Sequence, residues 1–265
     1  MKTRVITAVV ALAVFVPIVV KGGLFIQILA ALMATVGVYE LFRMKNLDVR
    51  SFEGVLSILG AIFLVFPFQN YLSFLPENGS WYLFYLTVLI LLGALVISKN
   101  SYTIEEAGFP VITSLYVGVG FQSFVLARQD SLQALFFALF IVWATDIGAY
   151  MFGRKFGKHK LAPEVSPNKT IEGSAGGILS AVVVAAIFLF IYPAKDTFNL
   201  STPYILIMTV VFSIFGQFGD LVESSIKRYF DVKDSGNILP GHGGILDRFD
   251  SLLFVFPIMH LLGVF

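Results

Sequence analysis

Between Ser224 and Asp250 the chain reads SSIKRYFDVKDSGNILPGHGGILDRFD, a polar island in a protein that is 57% hydrophobic. Lys227, Arg228, Lys233, His242, Asp247, Arg248 and Asp250 all fall in it. Carboxylates hold a hard cation such as Mg2+, and lysine and arginine hold phosphate oxygens. A turn such as Gly241-His242-Gly243-Gly244 lets backbone N–H groups close on an anion without Cβ clashes. If a helix starts here, Asp247 and Asp250 share a face near its N-terminus, where the dipole also favours phosphate. Residue types and spacing thus suit a metal and a nucleotide. Composition alone does not separate this from a solvated loop between membrane spans, so the order of the residues carries the argument.

A second set of polar residues precedes the island. Asp146 interrupts an apolar run, and ionisable groups inside a span are costly enough to be functional suspects. Gly153-Arg154-Lys155-Phe156-Gly157-Lys158-His159-Lys160 follows, then Ser166-Pro167-Asn168-Lys169-Thr170-Ile171-Glu172-Gly173. By itself the basic loop reads as a topology signal that touches anionic headgroups. Ser166 before Pro167 predicts a helix start, which would aim free N–H groups and Lys169 at an anion. Asp220, Glu223 and Lys227 stand at spacings of three and four and share a helical face. Asp220 and Asp247, from different segments, form the natural pair to hold a metal. His260, among Met259, Leu261 and Leu262, reads as structural.

The elements that must position these groups are membrane spans. Mean hydropathy is +0.86, and apolar runs occupy residues 5–20, 24–42, 54–68, 81–97, 109–127, 131–152, 176–193, 204–222 and 251–265. The expectation is an all-α integral membrane protein, a polytopic bundle of about nine transmembrane helices around a polar active-site cavity facing the cytoplasm. The basic start at Lys2 and Arg4 lacks a small-x-small cleavage site, so the first run is read as an uncleaved span. With the N-terminus inside, only Lys21, Arg128 and Lys195 of the 18 basic residues fall outside, a strong positive-inside bias. The expected location is the plasma (inner) membrane of a prokaryote. Residues 1–129 read as a structural, chemically quiet region and 130–265 as the catalytic one. Glu40 is placed at the interface without chemistry, and Trp81, Tyr82 and Tyr85 in an aromatic belt. Gly54, Gly60, Gly93, Gly118 and Gly120 allow close helix contacts and a homodimer. Cysteine is absent, which excludes disulfides, a thiolate nucleophile and Cys-ligated zinc.

Ser224, Ile226, Lys227, Arg228, Lys233, Asp234, Gly236, Leu239, Pro240, His242, Gly243, Gly244, Asp247, Arg248, Phe249 and Asp250 together closely resemble the signature of phosphatidate cytidylyltransferases, the CDP-diacylglycerol synthases, with no departure from the pattern. The looser segment Asp146–Gly173, which includes Asn168 and Lys169, resembles the part of that family linked to the nucleotide pocket. The resemblance implies transfer of a cytidylyl group from CTP to phosphatidate with Mg2+ as cofactor, in the lipid bilayer and with no nucleic-acid partner. In that reading Asp220 and Asp247 anchor the metal with Asp250 or Asp146 in support. Lys169, Lys227, Arg228 and Arg248 clamp phosphates, and the turn at His242, Gly243 and Gly244 supplies backbone donors. Two alternatives stay open: a CTP-dependent polyprenol or phytol kinase, and an ion-coupled transporter using Asp146 and Asp220 as relay groups.

Overall fold

The structure is a computed structural model that describes residues 2–99 and 101–265; the side chains of Lys2 and Arg4 lie outside the described residues. The described chain forms α1 (Lys2–Lys21), α2 (Gly23–Met44), α3 (Phe52–Val65), α4 (Gly79–Ile97), α5 (Ile104–Asp130) and α6 (Leu132–Phe156). A hairpin of β1 (Lys160–Ala162) and β2 (Ser166–Thr170) leads into α7 (Ile171–Ile191). There follow a short α8 (Ala194–Phe198), α9 (Thr202–Tyr229), the single turn α10 (Leu246–Phe249) and α11 (Leu252–Leu261). Each predicted apolar run falls on a helix.

Among the described residues six helices, α2, α4, α5, α6, α7 and α9, are long and apolar enough to cross a membrane. The 14 residues of α3 rise only about 21 Å at 1.5 Å per residue, short of the ~30 Å hydrocarbon core. The 10 residues of α11 fall further short. The protein is a multi-pass membrane protein in which long spans are supplemented by shorter apolar helices.

Local sequence explains the helix ends. Ser51, Ser131 and Ser201 each accept a backbone N–H three residues on, from Gly54, Ala134 and Tyr204, satisfying a donor the first turn leaves free. α9 closes with Asp231 left-handed at φ 58, its N–H on the Arg228 carbonyl at 3.2 Å and that of Val232 on Lys227 at 2.9 Å, the Schellman arrangement with an aspartate in the usual glycine place.

Ser166-Pro167 does not start a helix. It lies in β2, with Ala162 opposite Ser166 and Lys160 opposite Thr170, and α7 starts five residues later, where the Thr170 hydroxyl accepts from Gly173 N–H at 3.1 Å. A two-stranded ribbon has open edges, so the N–H that Pro167 lacks leaves no ladder bond unmade. Glu172, in the first turn of α7, accepts from Lys158 N–H at 3.0 Å and bonds the His159 ring at 2.6 Å, tying the loop before the hairpin to the helix after it.

The chain divides into two compact units. The first comprises residues up to Val125 together with Asp234–Leu246. Within it α3 packs on α2 and α4, and α3 meets α5 through the Ser57 and Ser114 hydroxyls, 3.1 Å apart, with Ser114 also donating to the Pro110 carbonyl at 2.7 Å. Such interhelical bonds replace the hydrophobic drive that lipid removes. Glu40, to which the sequence assigns no chemistry, is fully buried, because the loop Ser235–Leu246 returns to α2 and lays its N–H groups on the carboxylate. Gly60 and Gly118 do sit at helix contacts, whereas Gly93 has open space beside it.

The second unit comprises Leu126–Lys233 and Asp247–Phe265. Its densest contact is α6 on α7, where Gly173 and Gly177 let the backbones approach. A Cβ at either would stand 2.8 Å from the carbonyl oxygen of Ala149 or Thr145, so this small-xxx-small pair sets the helix spacing. Phe137 packs against Phe188 and Phe198 at ring distances of 5.2 and 5.3 Å, and α9 lies on α7 and α11.

Candidate active site

The close α6–α7 pair, the hairpin and α9 enclose a cavity of about 470 Å³ within the second unit. α6 contributes Asp146, Tyr150 and Arg154, β2 contributes Asn168 and Lys169, and α9 contributes Gln217 and Asp220. The hairpin carries Lys169 to the cavity wall, and its ammonium pairs with the Asp220 carboxylate. Both side chains keep about a third of their surface open, 27% and 33%, so the pair is reachable from the cavity. Ser224 donates to the other Asp220 oxygen at 3.4 Å, and Gln217 reaches the Ser174 carbonyl at 3.4 Å.

One turn further along α9 the site becomes dry. Lys227 lies 2.6 Å from Glu223 Oε2 and 2.6 Å from Asp247 Oδ1. Side-chain exposures of 14% for the lysine, 1% for Glu223 and 6% for Asp247 place this triad in an environment where an unpaired charge is costly. Asp250 stands beside Gly219, whose Cβ would come within 2.6 Å of the Asp250 carbonyl oxygen, and its carboxylate accepts from Ser251 N–H at 2.6 Å. Burial, and then the charge of Asp220, push the Asp250 carboxyl up to about 6. Asp146 stands within electrostatic reach of Asp220, Asp250 and Lys169. Asp146 and Asp220 on the cavity wall and Asp250 behind it therefore repel one another.

The remaining predicted residues are distributed differently. Arg228, Lys233 and Arg248 are exposed in the second unit, Arg228 making a 3.5 Å bond to the Val232 carbonyl. His242, Gly243 and Gly244 belong to the first unit. There Pro240 and Gly241, the latter at φ 79, form the centre of a turn closed by His242 N–H on the Leu239 carbonyl at 2.8 Å, as proline followed by a positive-φ glycine favours. His242 Nδ1 is buried without a hydrogen-bond partner among the described residues. Tyr150, Arg154 and Gln217 were not singled out as site residues by sequence. Tyr150 and Arg154 follow Asp146 at i+4 and i+8, and Gln217 precedes Asp220 by three, so helical spacing from the two carboxylates was the available signal.

Among the described residues no three His, Cys, Asp or Glu side chains converge as a ready-made metal site. Mg2+ is held by one or two carboxylates, waters and substrate phosphates, and the donors present fit that requirement. Asp220 pairs with Lys169, Asp247 shares the single Lys227 ammonium with Glu223, and Asp250 sits in a like-charge field that a cation would relieve.

A polytopic helical membrane protein with Asp146, Lys169 and Asp220 lining a cavity is the setting for phosphate chemistry at a lipid interface, and the chain belongs to the cytidylyltransferase family, whose profile matches residues 2–265. It is 43% identical over 268 residues to a phosphatidate cytidylyltransferase of Staphylococcus saprophyticus, covering 99% of this chain and 98% of that one. The Staphylococcus haemolyticus protein of the same name is 44% identical and that of Staphylococcus aureus strain COL 43%, with the same coverage.

Proposed function

We propose that the chain transfers the cytidylyl group of CTP to phosphatidate, giving CDP-diacylglycerol and pyrophosphate. The observation that carries this is the cavity's inner wall. Lys169 paired with Asp220 there leads along one face of α9 to the dry Glu223–Lys227–Asp247 triad. The attacking group is already an anionic phosphate, so no Ser, Cys or His nucleophile is required and catalysis reduces to positioning and charge neutralisation. Lys169, Lys227, Arg228 and Arg248 hold phosphate oxygens, with Asn168 and Lys233 as further substrate-binding residues. Asp220 and Asp247 hold Mg2+, with Asp250 or Asp146 in support. When bound, the ion neutralises the CTP phosphates and stabilises pyrophosphate as it leaves. The acyl chains stay in the bilayer while the headgroup enters the cavity.

The test is pyrophosphate release by the purified protein in mixed micelles. Release that needs both CTP and phosphatidate is expected. CDP as the nucleotide product would replace this reading with a lipid kinase, and transport without turnover would replace it with a carrier.

The same proposal places the N-terminus and the site in the cytoplasm of a prokaryotic cell, supported by the distribution of basic residues. Asp234 is exposed, whereas the neighbouring Ser235 is buried and bonded to Glu40, so Asp234 is the place for a probe cysteine. Asp234→Cys is expected to resist an impermeant thiol reagent in intact cells and to react after lysis; labelling of intact cells reverses the orientation.

A further inference from the structure

Glu40 is fully buried in the first unit, and a carboxylate in such a place persists only when its oxygens are well bonded. Oε1 accepts from Ile245 N–H at 2.8 Å, and Oε2 from Leu246 N–H at 2.9 Å and from the Ser235 hydroxyl at 3.0 Å. Two glycines make room for it. A Cβ at Gly236 would stand 2.7 Å from Glu40 Oε1, and one at Gly244 would overlap the same oxygen. Neither glycine has a positive φ, so backbone conformation does not require glycine at either position; the space taken by the carboxylate does. One turn on, Arg43 donates to the Asn237 side chain at 2.9 Å, so the last turns of α2 grip the loop at two points. Sequence reasoning assigned the donors around Gly244 to a substrate phosphate, yet the N–H groups of Ile245 and Leu246 are already committed to an anion that the chain itself supplies.

We propose that Glu40 is a positioning residue for the reaction, the internal anion around which the loop Ser235–Leu246 is wrapped. It acts through that loop: the His242 turn lies within the loop, and the peptide bond after Leu246, whose N–H Glu40 holds, leads directly into Asp247. The quiet N-terminal half thereby fixes the conformation of the Ser235–Leu246 stretch of the polar island, 195 residues away in sequence.

This inference rests on the reaction proposed above, and its test separates the two. The full-length protein is assayed in mixed micelles with CTP, phosphatidate and Mg2+, with rates normalised to folded protein. Glu40→Gln keeps the shape but sets an amide against backbone donors. It is expected to lower kcat about 100-fold, as small misplacements of a catalytic group do, with KM for both substrates within about twofold. A merely structural brace would lower the yield of folded protein and leave kcat per folded molecule at the parental value, which would overturn the proposal. The second arm uses unfolding midpoints and needs no activity. Gly236→Ala is expected to be destabilising in the parent and nearly neutral on a Glu40→Ala background, the coupling that a shared space produces. An equal cost in both backgrounds refutes the packing on which the proposal stands. A parent protein without turnover refutes the reaction, and the role of Glu40 in it; an active parent matched by Glu40→Gln refutes the role alone.

Discussion

Asp220→Asn is expected to lower turnover by about 10³-fold, on the scale of removing one preorganised electrostatic group from an active site, while the protein inserts and folds as before. The two halves of that expectation rest on different observations. Folding is spared because Asp220 and Lys169 are both about one-third exposed, and an ion pair of that kind contributes only about 0–1 kcal/mol. Asparagine also keeps the oxygen that accepts from Ser224. Turnover is lost because the amide brings no charge to a wall where Asp220 is the carboxylate that Lys169, Asp146 and Asp250 all sense. The apparent Mg2+ requirement should rise with the loss, since a hard cation depends on formal charge among its oxygen ligands. Near-normal activity at limiting Mg2+ would remove Asp220 from the metal site. Asp247→Asn should also abolish turnover. It is the less clean test, because it leaves Lys227 in its buried place with one carboxylate instead of two.

What could be read in the sequence follows the range of the forces involved. Spans and the Asp220–Glu223–Lys227 face depend on residues within one or two helical turns, and periodicity reports those directly. The polar island was legible through residue order, and its turn at Pro240-Gly241 through local backbone preference. Glu40 was not legible: in sequence it stands three residues before Arg43, a spacing that suggests a local ion pair, whereas its donors come from Ser235, Ile245 and Leu246. Gly244 misled for the same reason. A glycine that accommodates a distant side chain looks, in sequence, like one that accommodates a ligand. The hairpin was missed because Ser166-Pro167 suits a helix start and an open-edged strand equally well, and the choice fell to the Thr170 cap and to Glu172, which holds the Lys158 and His159 N–H groups.

Lys227→Met is expected to cost about 3–5 kcal/mol of stability, the range found when a buried charge loses its partner and a large share of a total near 5–15 kcal/mol. Methionine matches the stem of lysine in length, so the loss is one of charge and hydrogen bonds rather than of packing. Glu223 and Asp247, 1% and 6% exposed, would then face each other across an apolar side chain. Among the described residues Glu223 Oε1 already lacks a hydrogen-bond partner, and losing Lys227 would free Oε2 as well. Adding Glu223→Gln should recover about half of the loss, because one of the two stranded charges is gone and the remaining coupling is direct. Activity should not follow stability back. The double variant still lacks the ammonium that the proposed reaction uses on phosphate, so it should fold and remain inactive. Denaturant unfolding of the two variants and the parent, paired with pyrophosphate release by each, makes the measurement. If Lys227→Met unfolds with the parent, the triad does not hold α9 to Asp247. If the double variant regains turnover, Lys227 serves the fold and leaves the phosphates to Lys169 and the arginines.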